Sequence, residues 1–156
     1  MSKWANSTRV LIQLACSASG LLAMPALAQF SIVPAAQCEP PRESANDVEQ
    51  EYRIDASRHL YKCFPMRIYK GKLPPLLYGV MMVETELDAA GNVLNVSVVR
   101  KPAADEVQPW VLALIRRAAP FPAPAKFPGG TLRFTETFFV DKSGLFQAMS
   151  ITEGQR

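Results

Sequence analysis

Chemistry in this chain would have to come from a short set of side chains. There is one histidine, His59, and three cysteines, Cys16, Cys38 and Cys63. Glu84 and Glu86 stand two apart, the spacing that puts both carboxylates on one face of a strand, where a pair can divide acid and base roles. No nucleophile stands beside them in the pattern, so the pair reads as a solvated sheet face. His59 falls on or near the apolar stripe of a helix and reads as a structural or surface histidine. Ser143-Gly144 belongs to a turn, and the chain has no P-loop, no G-x-G-x-x-G and no C-x-x-C. Arg116, Arg117 and Arg133 could meet an anion, although cations in the last helical turn ordinarily offset the helix dipole. The residues support neither a catalytic site nor a cofactor, and no second cysteine pair or histidine cluster points to a metal.

The cysteines are better explained by export. Residues 1–28 hold Lys3 and Arg9 and no acid, then an apolar run to Met24, then Pro25-Ala26-Leu27-Ala28 with Gln29 next. A basic start, an apolar middle and small residues at Ala26 and Ala28 make a signal peptide cleaved after Ala28. The run carries Gln13, Ser17 and Ser19 and falls short of the roughly 20 apolar residues of a spanning helix. Cys16 leaves with the leader, and Cys38 and Cys63 remain as an even pair in an oxidising compartment, which predicts a disulfide. A loop of that size contributes about 3 kcal/mol in the chain-entropy account. Lys3 and Arg9 are two of 17 basic residues set against 14 acidic ones, so the remainder is nearly neutral. That balance gives no case for nucleic acid or an anionic membrane.

The elements that must position these groups follow from periodicity. Residues 29–45 are Pro- and Ala-rich and read as an extended lead-in tied down at Cys38. The domain proper occupies 46–156. Helical spacing of Val48, Tyr52, Ala56, His59 and Leu60 predicts a helix over 46–62, capped by Asn46 or Asp47. Alternation predicts strands at Gly79–Asp88 and Val93–Arg100, joined by a hairpin turn at Asp88-Ala89-Ala90-Gly91-Asn92. Met81, Val83 and Leu87 share the buried face of the first strand. Leu94, Val96 and Val98 share that of the second. Val107, Trp110, Val111, Leu114 and Ala118 predict a second helix, which Pro120 ends. A Pro-rich loop over 120–130 carries Phe121 and Phe127, and two readings stand for these rings: an exposed partner surface, or plugs for the core beneath the loop. Strands at Thr131–Val140 and 145–151 complete the chain. The fold class is α+β, a small antiparallel sheet of three to four strands packed against two helices.

This order of motifs resembles the TonB C-terminal domain family. Gly79-Val80-Met81-Met82-Val83 is similar to its first strand and Asp88-Ala89-Ala90-Gly91-Asn92-Val93 to its D-x-x-G-x-V turn. Asn95-Val96, the helix end Arg116-Arg117-Ala118-Ala119, and Phe121-Pro122-Ala123-Pro124 before a further strand follow in the same order, over about residues 64–140. The resemblance implies a periplasmic, non-enzymatic module that takes an extended segment of an outer-membrane receptor onto a sheet edge. In that family the edge corresponds to Thr131–Val140, which nominates Arg133, Thr135 and Thr137, with Phe121 and Phe127 nearby.

The chain departs from the energy-transducing members of that family. They keep a membrane anchor and a long spacer, whereas residues 29–45 reach at most about 3.3–3.6 Å each. Three functions follow: a periplasmic binding module for an envelope protein; a structural or assembly protein whose sheet edge is closed by the last strand, with a second copy of the chain among its partners; and an anchored transducer if the leader stays. N-terminal sequencing of the exported protein separates the last from the others. A start at Gln29 is expected, and an intact Met1 in the membrane fraction would contradict it.

Overall fold

A computed structural model describes residues 30, 36, 38, 39 and 41–156. The signal peptide and its cleavage residues Ala26, Ala28 and Gln29 lie outside the described residues. The chain runs α1 (Glu49–Cys63), a 3-10 turn (Pro65–Arg67), β1 (Gly79–Asp88), β2 (Val93–Arg100), α2 (Val107–Arg117), β3 (Thr131–Val140), β4 (Phe146–Ala148) and a second 3-10 turn (Met149–Ile151). The strands form one antiparallel sheet in the order β2-β1-β3-β4. It is the small α+β fold the periodicity predicts. No helix among the described residues is long and apolar enough to cross a membrane.

Strict alternation in β1 sets the layers. Gly79, Met81, Val83, Thr85 and Leu87 are buried, and the residues between them are half-buried. A strand turns successive side chains to opposite faces, so Glu84 and Glu86 point away from the core. Both helices cover the other face: Val107 of α2 lies against Gly79, and Ser57 of α1 bonds Glu136 of β3. Trp110, Phe146, Phe138, Tyr52, Phe134 and Phe121 interlock between the layers in edge-on and tilted pairs. Burying one such side chain contributes about 1.5–3 kcal/mol.

The structure corrects four details of the sequence pattern. Neither Asn46 nor Asp47 caps α1; its cap position is Val48, half exposed, with no side-chain bond. Asn46 and Ser44 instead both donate to the Asp55 carboxylate, at 2.9 and 2.8 Å. The lead-in is not extended throughout, because Phe30 has helical backbone and is buried between Tyr78 and Trp110. The last strand covers only Phe146–Ala148, not 145–151. The Gln147 side chain explains the stop: its amide nitrogen donates to the Tyr69 and Gly71 carbonyls, and its oxygen accepts from Thr152 and Glu153. Those bonds pull the following chain into a turn. Finally, Leu94 is not on the buried face. Glu86 pairs with Asn95 and Leu87 with Val93, so Leu94 is an extra residue, a bulge, and is 55% exposed. Val99 is a second bulge for the same reason, since Met82 pairs with Arg100 and Val83 with Val98.

The hairpin turn is held by Asp88. Its carboxylate accepts from the amides of Ala90 and Asn92 and from the Asn92 side chain. Those bonds, the Asn92 side chain foremost, hold the carboxyl below its usual range. Gly91 has φ +83, and a Cβ there would lie 2.0 Å from the Phe121 carbonyl oxygen. Only glycine fits both demands. Gly91→Ala is expected to lower stability by more than about 1–2 kcal/mol, the cost of the left-handed backbone alone, as read by thermal unfolding. An unchanged Tm would contradict the turn geometry.

Candidate functional site

An edge strand presents N–H and C=O groups that must find partners or water. On the β3 side the protein supplies partners one by one. Thr135 donates its N–H to Glu49 and accepts at its carbonyl from Arg53, both on α1. By alternation Arg133 and Thr137 point their backbone the same way, and Thr137 donates to the carboxylate of Glu136. β4 pairs with Phe138, Phe139 and Val140. Beyond it, Tyr69 donates to the Phe146 carbonyl and Ala148 donates to the Tyr61 hydroxyl. The sequence-nominated edge is therefore bonded internally at Thr135 and Thr137. The last strand pairs only with Phe138–Val140, and side chains of α1 and Glu136 bond the edge at Thr135 and at the Thr137 amide.

Glu136 carries most of this closure. It is 3% exposed, and it accepts from the Ser57 hydroxyl at 2.9 Å, the Thr137 amide at 2.8 Å and the Ser150 amide at 3.3 Å. A buried carboxylate is tolerable when several donors satisfy it. Here one side chain joins β3, α1 and the C-terminal turn. Sequence reading missed it, since a glutamate at the middle of a Thr-Glu-Thr strand looks like an exposed residue.

The opposite edge is different. Thr135 faces away from β1, so Phe134 and Glu136 face it, and Val83 and Thr85 are their partners. Glu84 and Glu86 then face β2 and pair with Ser97 and Asn95. Alternation leaves the backbone groups of Val96 and Val98 pointing outward. Among the described residues no strand pairs with that edge, and no backbone group from outside the sheet bonds those outward groups. The only charge in β2 is Arg100, at its end. A groove of about 390 Å³ runs along this edge, lined by Val93, Leu94, Asn95, Val96, Arg116 and Ala119. The exposed bulge residues Leu94 and Val99 stand near either end of the strand.

The remaining candidates fall elsewhere. Phe121 is 1% exposed and packs on His59 and Phe134, and Phe127 packs on Tyr52. Both rings plug the core rather than offer a partner surface, because the Phe121 amide is held by the Gly91 carbonyl at 2.8 Å and draws the loop inward. Arg133 is exposed and paired with Glu86 at 3.2 Å on the outer sheet face. Glu84 and Glu86 lie on the face away from His59, so the three do not converge. Cys38 and Cys63 form a disulfide spanning 25 residues. His59 lies beside it, its Nε2 3.4 Å from Cys63 Sγ, a grouping the sequence reading did not see. Burial pushes the imidazole below its ordinary pKa; the Ala118 and Pro120 carbonyls oppose that and Lys62 adds to it. Nε2 donates to the Ala118 carbonyl at 2.7 Å.

Compared with known proteins, the chain matches no family model, no curated protein and no solved structure.

Glu136→Ala is expected to cost about 3 kcal/mol in urea unfolding, because it strands the buried Thr137 amide and Ser57 hydroxyl and the half-buried Ser150 amide. Glu84→Ala, on the outer face, is expected to stay within about 0.5 kcal/mol. Equal effects would contradict the placement of Glu136.

Proposed function

We propose that this domain is a protein-binding module of the cell envelope that takes an extended segment of an envelope protein onto the outer edge of β2. The observation that carries this reading is the asymmetry of the sheet. One edge is closed by β4, Glu136, Glu49 and Arg53, and the other keeps the Val96 and Val98 backbone groups without a strand partner among the described residues, beside a groove. Strand addition draws its affinity from main-chain bonds at such an edge and its selectivity from pockets for alternate side chains.

β2 fits that role. Its lack of charge between Val93 and Val99 removes the usual guard against pairing, and its two bulges confine pairing to the central residues. Arg116 at the end of the groove suits a segment with an acidic residue at that point. The resemblance to the TonB C-terminal domain supports the same mode of binding, with an outer-membrane receptor segment as one occupant. It points to β3, whereas the edge chemistry of this chain favours β2.

Photo-crosslinkers placed at Leu94 and at Thr135 test the reading in a periplasmic extract. Adducts are expected at Leu94, with Val98→Pro reducing them at least about tenfold, since it removes one outward donor from an edge strand that otherwise tolerates proline. Adducts confined to Thr135, or insensitive to Val98→Pro, would contradict it.

A further inference from the structure

The cluster at the base of α1 goes beyond this reading. Cys38 Sγ, Cys63 Sγ and His59 Nε2 all lie within 4.8 Å of one another, and all are at least partly buried. A fourth donor borders them: the Ala118 carbonyl oxygen is 2.7 Å from Nε2 and 3.8 Å from Cys38 Sγ. His59 and Cys63 sit four residues apart on one helix, the spacing that stacks two side chains on one face. A disulfide alone has no need of an imidazole 3.4 Å from one of its sulfurs. The separations of 3.4 Å from Nε2 to Cys63 Sγ and 3.8 Å from Cys38 Sγ to the Ala118 oxygen match the spacing of about 3.3–3.8 Å between neighbouring donors of a tetrahedral zinc-class site. Reduction frees the bonded sulfurs to part to the same spacing.

We propose that the reduced form of this cluster is a soft divalent-metal site, with Cys38 and Cys63 thiolates and His59 Nε2 as ligands and the Ala118 carbonyl as the adjacent fourth donor. The switch balances in two steps. A dithiol reductant gives two electrons and two protons to the S–S bond, producing two cysteine thiols and its own disulfide. The ion then displaces both thiol protons to solvent as two metal–sulfur bonds form. His59 moves its proton from Nε2 to Nδ1, which frees the Nε2 lone pair for the ion. A cleft of about 620 Å³ that His59 lines, together with Glu39, Glu43, Asp55, Arg42 and Lys62, opens the imidazole side of the cluster to solvent. Either state ties the N-terminal segment to α1, so the fold keeps its strap whether the pair is oxidised or reduced.

The test uses Co²⁺ alone as the probe, added to protein reduced under anaerobic conditions with a phosphine. A thiolate-to-cobalt charge-transfer band saturating at one ion per chain is expected, and none with the oxidised protein. His59→Asn, which keeps a donor for the Ala118 carbonyl, is expected to weaken binding at least about tenfold, the least that loss of a supporting group costs. Circular dichroism of the oxidised variant checks that it folds; should it not, His59→Gln replaces it. Absence of the band in the reduced protein, or a band of equal affinity in the histidine variant, would overturn the proposal. If reduction unfolds the chain, Co²⁺ is expected to restore the native dichroism, and failure to do so would overturn it as well.

Discussion

The backbone at the edge of a sheet is an unfinished hydrogen-bonding surface, and the way this protein finishes one edge shapes everything around it. On the β3 side the finishing group is a carboxylate. Glu136 lies on the core face, where an apolar residue would be ordinary, and its oxygens take the donors that a neighbouring strand would otherwise satisfy. That choice requires α1 to lie close enough for Ser57, Arg53 and Glu49 to reach the same strand. It also requires the chain after β4 to turn back, so that the Ser150 amide can join them, with the Ser150 hydroxyl bonding Ser57 at 2.8 Å. With so many partners committed to one side, the β2 side is left to the solvent or to another protein.

The N-terminal segment is the second organising element. Phe30 fills a slot between Tyr78 and Trp110, the Ser44 amide bonds the Ala123 carbonyl, and the disulfide ties Cys38 to Cys63 at the end of α1. Tyr52, whose hydroxyl donates to Pro122 at 2.6 Å and whose pKa burial raises well above its usual value, holds the same loop from beneath. The Pro-rich loop, the segment before α1 and the helix itself therefore form one packed unit over β3.

Much of the architecture is legible in the sequence, for reasons visible in particular residues. Asp88 and Gly91 mark the hairpin because a short carboxylate accepts the turn's amides and only glycine fits its left-handed, closely packed position. Trp110, Val111 and Leu114 mark α2 because a helix must bury one stripe. The even cysteine pair announces its bond. The closing of the edge is not legible, since it depends on contacts between residues far apart in the chain. Glu136 reads as exposed until Ser57 and Ser150 are brought to it. Asn46 reads as a helix cap until Asp55 competes for it. The bulges at Leu94 and Val99 are invisible because alternation along β2 looks unbroken until it is aligned with β1. His59 reads as a structural or surface histidine until the fold sets Cys38 beside it.

The central claim is that one edge of this sheet is closed from within and the other is open, and amide hydrogen exchange resolved by NMR tests it most directly. In the free protein the account predicts slow exchange at Thr135 and Thr137 and fast exchange at Val96 and Val98, with the latter pair becoming protected when an extended partner segment binds. Slow exchange at Val96 and Val98 in the free protein, or protection on binding that appears at β3 instead, would contradict it.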